Sequence, residues 1–332
     1  MANTPLTDFI TTHYHHFNAN ALKQAAHAYI DHHRAGKRML VTLAGAMSTA
    51  ELGRSLAPMI RAGLVDAICC TGANLEEDVF RAIAYTHYRS IPDYRELSAA
   101  DEQDLHDAGF NRVTDTCIPE AEAMRCIETH LIAAWRAASE ANERRLPHEY
   151  VYTLVQQLAA EGAFQVPKEE SWVLAAAERQ LPVYVPGWED STLGNFCVAA
   201  GRRGDCNLDC VLSGLHYMDK LIDWYTTTTQ DTSIGFFQVG GGIAGDFPIC
   251  VVPLLNQDLQ ESVPLWSYFC QITDATESYG GYSGAHPNEK ITWGKLSADT
   301  PRFVIHSDAS IVAPLLFQRS EEHTSELQSP DH

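Results

Sequence analysis

A chain of 332 residues with 45% hydrophobic content is long enough to bury one large core or two smaller ones, and no run of it approaches the roughly 18 consecutive apolar residues of a membrane span. Against 23 Lys and Arg stand 43 Asp and Glu, a formal net charge of −20, which excludes nucleic acid and anionic membrane as natural partners and favours cationic ones such as amines, guanidines or basic proteins. Cys69, Cys70, Cys117, Cys126, Cys197, Cys206, Cys210, Cys250 and Cys270 make an odd set, and the N-terminus lacks the basic and apolar blocks of a secretory signal. A reduced, cytoplasmic compartment therefore fits better than a disulfide framework.

The first clear element follows Asn20, where Leu22, Ala25, Ala26, Tyr29, Ile30 and His33 recur at helical spacing and Gly36 closes the run. Met39 to Leu43 reads as a strand ending in Ala-Gly-Ala, and Ser48 with Glu51 has the spacing of a capping box that starts a helix through Met59 and Ile60 to Gly63. The pattern repeats with Ala67 to Cys70 as strand, Thr71-Gly72-Ala73 as turn, and Asn74 with Glu77 capping a helix whose first turn holds Glu76, Glu77 and Asp78. On spacing alone, those acids complement the helix dipole. Residues 85–147 read as polar and mostly helical, broken at Pro92 and Pro119, with neither a repeat nor a linker.

Helical patterns return around Tyr150 to Ala160 and Glu170 to Arg179. Val183 to Val185 then predicts a strand running into Pro-Gly-Trp-Glu-Asp, with Asp190 or Ser191 able to cap the next helix. Leu208, Val211, Leu212, Leu215, Met218 and Ile222 predict one face of a long helix. The pair Cys206 and Cys210 lacks the second close pair that a structural zinc site needs, so no metal is expected. Ile234 to Val239 predicts a strand that enters Gly240-Gly241-Gly242-Ile243-Ala244-Gly245, a formal G-x-G-x-x-G match where bare backbone can approach a phosphate. No convincing acid stands on a following strand to hold a ribose. Trp266 to Ile272 and Phe303 to His306 complete the strands, each followed by an Asp-Ala pair, Asp274-Ala275 and Asp308-Ala309.

Small and acidic residues thus collect at the carboxyl ends of six apolar strands with helices between most of them, which predicts an α/β fold on a parallel, Rossmann-like sheet with additional helices. Ser283 to Leu296, led in by Tyr279-Gly280-Gly281-Tyr282, is too long and too chemically loaded for a connector, since it carries Glu289, Trp293 and Lys295. Arg319 to Ser329 matches the in-frame translation of a widely used sequencing adapter and interrupts an apolar helix at Gln318. Residues 1–318 are accordingly read as one domain, and 319–332 as an adapter-derived tail with the authentic C-terminus missing.

The run Gly284-Ala-His-Pro-Asn-Glu-Lys-Ile-Thr-Trp-Gly-Lys295, preceded by Gly240-Gly241-Gly242 after a strand and followed by Ser307-Asp308-Ala309, resembles deoxyhypusine synthase and its bacterial deoxyhypusine synthase-like relatives. Thr71 to Asp78 resembles that family's Thr-Ala-Gly-Gly-Val-Glu-Glu-Asp, Asp190 to Asn195 resembles its Asp-Gly-Ser-Leu-Gly-Asp, and the likeness spans roughly Asn18 to Gln318. The resemblance implies a single NAD-binding domain assembled as a homotetramer, with active sites at subunit interfaces. It implies a redox-neutral reaction: hydride passes from spermidine to NAD, a lysine captures the imine with loss of diaminopropane, and the aminobutyl group moves to an acceptor amine before the hydride returns. By position that lysine is Lys295, which must shed its proton to act as a nucleophile, with Trp293 as a dry wall and cation–π face. Glu77 would handle the amine proton, reversing the dipole reading, and Glu289 would hold a terminal ammonium. NAD contacts would fall on Thr71, Gly72, Glu76, Asp190, Gly240, Gly242, Ala275, Asp308 and Ala309.

The departures from the family pattern concern amine recognition. Asn195 stands where the family pairs an aspartate with the central amine, Tyr282 and Tyr279 replace two more aspartates, and Gly245-Asp246-Phe247 replaces a Lys-His-His that includes a catalytic histidine. Asn195, Tyr279, Tyr282 and Asp246 thus join Trp293 and Glu289 as the expected substrate shell. Fewer carboxylates weigh against spermidine, whose three ammonium groups need partners once desolvated. The resemblance and its departures together imply an NAD-dependent aminoalkyl transferase of polyamine metabolism that joins two small amines, putrescine or agmatine, into a homospermidine-like product. The added tyrosines favour a flat guanidinium. The competing readings are a true deoxyhypusine synthase acting on a lysine of a translation factor, and a non-catalytic NAD-binding scaffold.

Overall fold

In the computed structural model, residues 5–277 and 279–328 are described. The strands are β1 (Arg38–Leu43), β2 (Ala67–Cys70), β3 (Arg89–Ser90), β4 (Phe110–Val113), β5 (Thr116–Pro119), β6 (Val183–Tyr184), β7 (Ile234–Val239), β8 (Phe269–Thr273) and β9 (Arg302–His306). Six of them form one sheet in the order β6-β2-β1-β7-β8-β9, and every pairing is parallel. A parallel sheet is covered on both faces, so its strands are continuous apolar runs without alternation; β7 and β8 are buried at every residue. The polar residues Thr42 of β1, Gln238 of β7, and Gln271 and Thr273 of β8 are buried too.

This order is that of doubly wound dinucleotide-binding sheets, with the chain leaving β1 toward one edge and β7 toward the other, and ligands of such sheets sit outside the carboxyl ends at that reversal. The two strand ends are close enough there that a Cβ on Gly240 would stand 2.9 Å from the Ala44 Cβ. Helices pack on both faces. On one of them Tyr29 donates from its hydroxyl to the Leu64 carbonyl at 2.7 Å and Tyr268 to the Ala25 carbonyl at 3.0 Å. Among the described residues no helix is long and apolar enough to cross a membrane.

Several local expectations are corrected. Ser48 caps nothing: its N–H donates to Asn74 Oδ1 and its hydroxyl to the Asn74 carbonyl, and the helix starts later, at Gly53. The helix after β2 begins at Gly72 with Thr71 as its N-cap, which frees Asn74 to donate to the carbonyls of Leu43, Ala44 and Gly45. Residues 85–147 are not simply helical, because β3, β5 and β4 form an antiparallel sheet whose Val113–Thr116 pair closes a two-residue turn. The long helix expected from Leu208 begins only at Gly214, since Val211 bridges to Arg145; its buried residues are Tyr217, Leu221 and Tyr225, while Leu215 is 83% exposed. Trp266 makes a single bridge to Leu296 and stands before β8 rather than in it. A helix over Pro5–His13 adds to the expected elements. The last helix runs from Ala309 through Gln318 to Gln328 without a break, as 320–328 holds no Gly or Pro to stop it. Residues 329–332 of the suspected tail lie outside the described residues.

Candidate active site

The catalytic and substrate residues named from the sequence, Tyr279 apart, divide between two cavities. The first is lined by Glu76, Glu77, Thr192 and Asn195, by Asn111, Val113 and Ile118 of the small antiparallel sheet, and by Arg125 and Glu128. Glu76, Glu77 and Asp78 are each under 10% exposed, at 4%, 7% and 2%, so they are not a solvated first turn. Each instead has a fixed partner. Glu76 accepts the backbone N–H groups of Thr192 and Leu193 at 3.0 and 2.9 Å, anchoring the N-terminus of the helix Thr192–Arg203 that carries Asn195. Asp78 accepts from the Ser171 hydroxyl at 2.5 Å and the Val173 N–H at 3.2 Å. Burial raises its carboxyl to about 6 against those bonds, and its work is structural.

Glu77 differs in being held by Thr49 alone, whose hydroxyl donates to Oε2 at 2.7 Å and whose backbone adds a second bond. Burial pushes its carboxyl up to about 7; the Thr49 bonds oppose the rise and the neighbouring Glu76 adds to it. A carboxyl at the edge of a cavity that titrates near neutrality is suited to accept and return protons. Asn195, beside it in the same wall, is exposed.

The second cavity, of about 550 Å³, is lined by Asp246, Tyr282, Glu289, Lys290, Trp293 and Lys295, and also by Cys250, Glu277 and His286. Lys295 is 6% exposed, and its Nζ donates to Asp246 Oδ1 at 3.2 Å. It also lies 5.6 Å from the centroid of the Tyr282 ring and 5.7 Å from that of Trp293. The turn that presents it is short: the helix Glu289–Thr292 ends at Trp293, Gly294 takes φ +68°, and the Lys295 N–H returns to the Lys290 carbonyl at 2.9 Å. Only a residue without Cβ takes that conformation cheaply, which accounts for glycine before the lysine. The dry wall expected of Trp293 is not present in one protomer, where the side chain caps an open loop and is 65% exposed. Tyr279 is 86% exposed and outside the lining, and Glu289 is exposed at the mouth.

The loop is moored by the buried polar residues of the sheet. Gln271 Nε2 and Thr273 Oγ1 donate to the Ser283 carbonyl at 2.8 and 3.1 Å, and the Tyr282 hydroxyl donates to Gln238 Oε1 at 2.8 Å. Ser283 packs so closely on the glycine turn that a Cβ on Gly241 would meet its hydroxyl at 2.1 Å. Its Oγ accepts the Gly242 N–H at 3.1 Å. The three glycines therefore seat this loop as well as exposing backbone.

The nine residues expected to touch NAD follow β2, β6, β7, β8 and β9 along one edge of the sheet. Gly240, Gly242, Ala275, Asp308 and Ala309 share the half nearest the lysine loop; nothing stands within 4 Å of a Cβ built on Gly242. Thr71, Gly72 and Glu76 are committed to packing. Thr71 caps its helix and donates to the Gly45 carbonyl at 2.8 Å, and Gly72 is pressed against Ser191, 2.6 Å from where its Cβ would be. Asp190 is exposed, and Asp308 Oδ1 accepts the Ser310 N–H and hydroxyl, both at 2.7 Å. Two residues escape the sequence reading, Thr49, which holds Glu77, and Lys290, which lines the second cavity. Lys290 lies within the motif, but nothing in its spacing marks it as buried.

The family model of deoxyhypusine synthase matches residues 10–320. The chain belongs to the deoxyhypusine synthase family. Among named relatives, the Methanosarcina mazei protein called probable deoxyhypusine synthase 2 is 29% identical over 287 residues, 86% of this chain and 77% of that one. A deoxyhypusine synthase-like protein of a Cyanothece species is 29% identical over 325 residues, 95% and 78% of the two chains. A crystal structure from Entamoeba histolytica assigned as a deoxyhypusine synthase shares the fold at 12% identity and a TM-score of 0.57, covering 96% of this chain and 92% of that one. Within this family, the lysine loop and the buried acids of the helix after β2 are the natural candidates for chemistry.

Proposed function

We propose that this member of the deoxyhypusine synthase family is an NAD-dependent aminoalkyl transferase that joins two small cationic amines. The observation that carries the reading is Lys295, a buried amine held by Asp246 between two aromatic rings, in a cavity at the carboxyl edge of a doubly wound sheet. The rim beside it fits NAD. Gly242 has open space above its Cα at the head of the helix Gly242–Ile249, Gly240 and Ala275 keep side chains out of the way, and Asp308 with Ala309 opens the last helix. Bound there, NAD supplies a hydride acceptor that later returns the hydride.

The chain's own groups supply the rest. Glu77, titrating near 7, takes the proton that the donor amine sheds as it is oxidised and returns it to the departing amine. Lys295, as a free amine, captures the imine carbon and holds the aminoalkyl group until the acceptor amine displaces it. Tyr282 and Trp293 offer ring faces to an ammonium or guanidinium, and Asp246 and Glu289 offer carboxylates. With Asn195, Tyr279 and Tyr282 in place of acids, putrescine or agmatine is better matched than spermidine.

The two cavities share no lining residue. The exposed Trp293 and the open loop favour a site completed by a second copy, within a homotetramer. Incubation of the protein with NAD and each of spermidine, putrescine and agmatine, with products identified by mass spectrometry, tests the reading. A condensed polyamine from two small amines is the expected outcome. Product formed only when a protein lysine is offered makes it a true deoxyhypusine synthase, and NAD binding with no product under any pairing makes it a scaffold.

A further inference from the structure

Five residues before Lys295, and in the same cavity wall, lies a second lysine that the proposed reaction does not use. Lys290 is 3% exposed, and its Nζ is buried with no hydrogen-bond partner. It sits 4.9 Å from the ring centroid of Phe269 and 4.8 Å from that of Tyr282, the ring that Lys295 also faces at 5.6 Å. The backbone bond from the Lys295 N–H to the Lys290 carbonyl fixes the two residues in one turn. Lys295 is paired with Asp246, and an amine can attack an imine only through a lone pair that protonation removes. Its partner Asp246 is half-exposed, and carboxylates as a class are far weaker bases than amines.

We propose that Lys290 and Lys295 act as one pair that shares a single proton, Lys290 receiving the proton that Lys295 must shed before its amine can attack. The transfer is Lys295-NH3+ plus Lys290-NH2 giving Lys295-NH2 plus Lys290-NH3+, with no atom or electron gained or lost. The slot between Phe269 and Tyr282 receives the new cation, since ring faces stabilise an ammonium that has no counter-ion. Burial, and then the charge of Lys295, pull the Lys290 amine down to about 8, while Glu289 and Asp246 pull the other way. The other titratable residues lining the cavity with the pair are Tyr282, Cys250, Glu277 and His286. Two amines coupled in this way titrate as a unit. Lys290 is a positioning residue here, acting through Lys295, and the proposal rests on the reading of Lys295 as the covalent amine.

Competitive labelling of the full protein with limiting acetic anhydride, from about pH 6 to about pH 10 and read by peptide mass spectrometry, reports the titration of Lys295 without any turnover. In Lys290→Met the Lys295 profile is expected to move about one unit to higher pH, so that Lys295 labels roughly tenfold more slowly near pH 8. In Lys290→Arg, labelling stays at or above the wild-type rate because a cation remains, yet product formation falls as in the Met variant, because a guanidinium cannot accept a proton. An unchanged Lys295 profile in Lys290→Met overturns the proposal. So does full turnover by Lys290→Arg, which would leave a neighbouring charge as sufficient. Failure of the functional reading looks different: Lys295→Ala would then retain turnover, while the labelling profile, which needs no substrate, still decides whether the amines are coupled.

Discussion

The acid cavity and the lysine loop are built in opposite ways. Glu76, Glu77 and Asp78 project from a helix buried on nearly every side, each carboxylate held by a donor from another element. Glu289, Trp293 and Tyr279 project from a loop and are largely open to solvent, while Lys290 and Lys295 are the charged residues of that loop that turn inward. On the proposed function, the contrast is a division of labour. Proton handling needs a carboxyl whose titration is set by fixed, dry surroundings, so it belongs on packed secondary structure. Substrate recognition and covalent capture need entry and exit of an amine, so they belong on a loop. In this chain the loop is nonetheless tied to the sheet through Gln238, Gln271 and Thr273, which place its base without closing its mouth.

The largest expected effect falls on the loop side. Lys295→Ala should lower amine-dependent product formation by about a thousandfold or more while NAD binding, followed by fluorescence quenching, is kept; undiminished product would remove the covalent mechanism. Next, Glu77→Gln should cost on the order of a hundredfold to a thousandfold and abolish the acid limb of the rate profile. The sign comes from burial: the carboxyl is raised to about 7, so its basic form accumulates above that pH and the wild-type rate rises through it. A rate that stays flat between about pH 5.5 and 8 would remove Glu77 as the base.

A third test asks whether the two regions meet within a protomer or between protomers. Dissociated Lys295→Ala and Glu77→Gln proteins, mixed and reassociated, should recover about a quarter of wild-type activity if each site takes its lysine from one copy and its acid from another, because half the two-fold pairs are mixed and each holds one intact site. No recovery would place both halves in one chain. The smallest effect is the most specific. Thr49→Val removes the hydroxyl hydrogen bond that helps hold the Glu77 carboxyl down and leaves the one from the Thr49 backbone, so the acid limb should move about half to one unit toward alkaline pH with little change in the rate at high pH. An unmoved limb would show that Glu77 is not the group being titrated.

Much of the fold is legible in the residues. All six strands of the parallel sheet read as apolar runs, because a strand covered on both faces tolerates few polar residues, and β2 and β7 have the expected bounds. The antiparallel insert is illegible, since its strands of two to four residues are too short and too polar to stand out from the helical segments around them. Its only local signals are Thr116 and Ile118 beside the two-residue turn at Thr114-Asp115. The caps mislead for another reason. Ser48 and Asn74 have capping spacing, but they bond each other across 26 residues, and no local rule sees such a contact.

The candidate site divides along the same line. The sequence by itself determined the family and the carboxyl-edge placement of the glycine turn and the lysine loop, because those depend on residue type at fixed spacing, and through the family resemblance it singled out Lys295 and Glu77 as candidates. Only the tertiary structure decided which acids are occupied, that Asp246 pairs with Lys295, and that Lys290 is a buried amine without a hydrogen-bond partner. Those properties arise from what packs against a side chain. Burial and charge pairing set the protonation of a group, and both are contributed by residues distant in the chain.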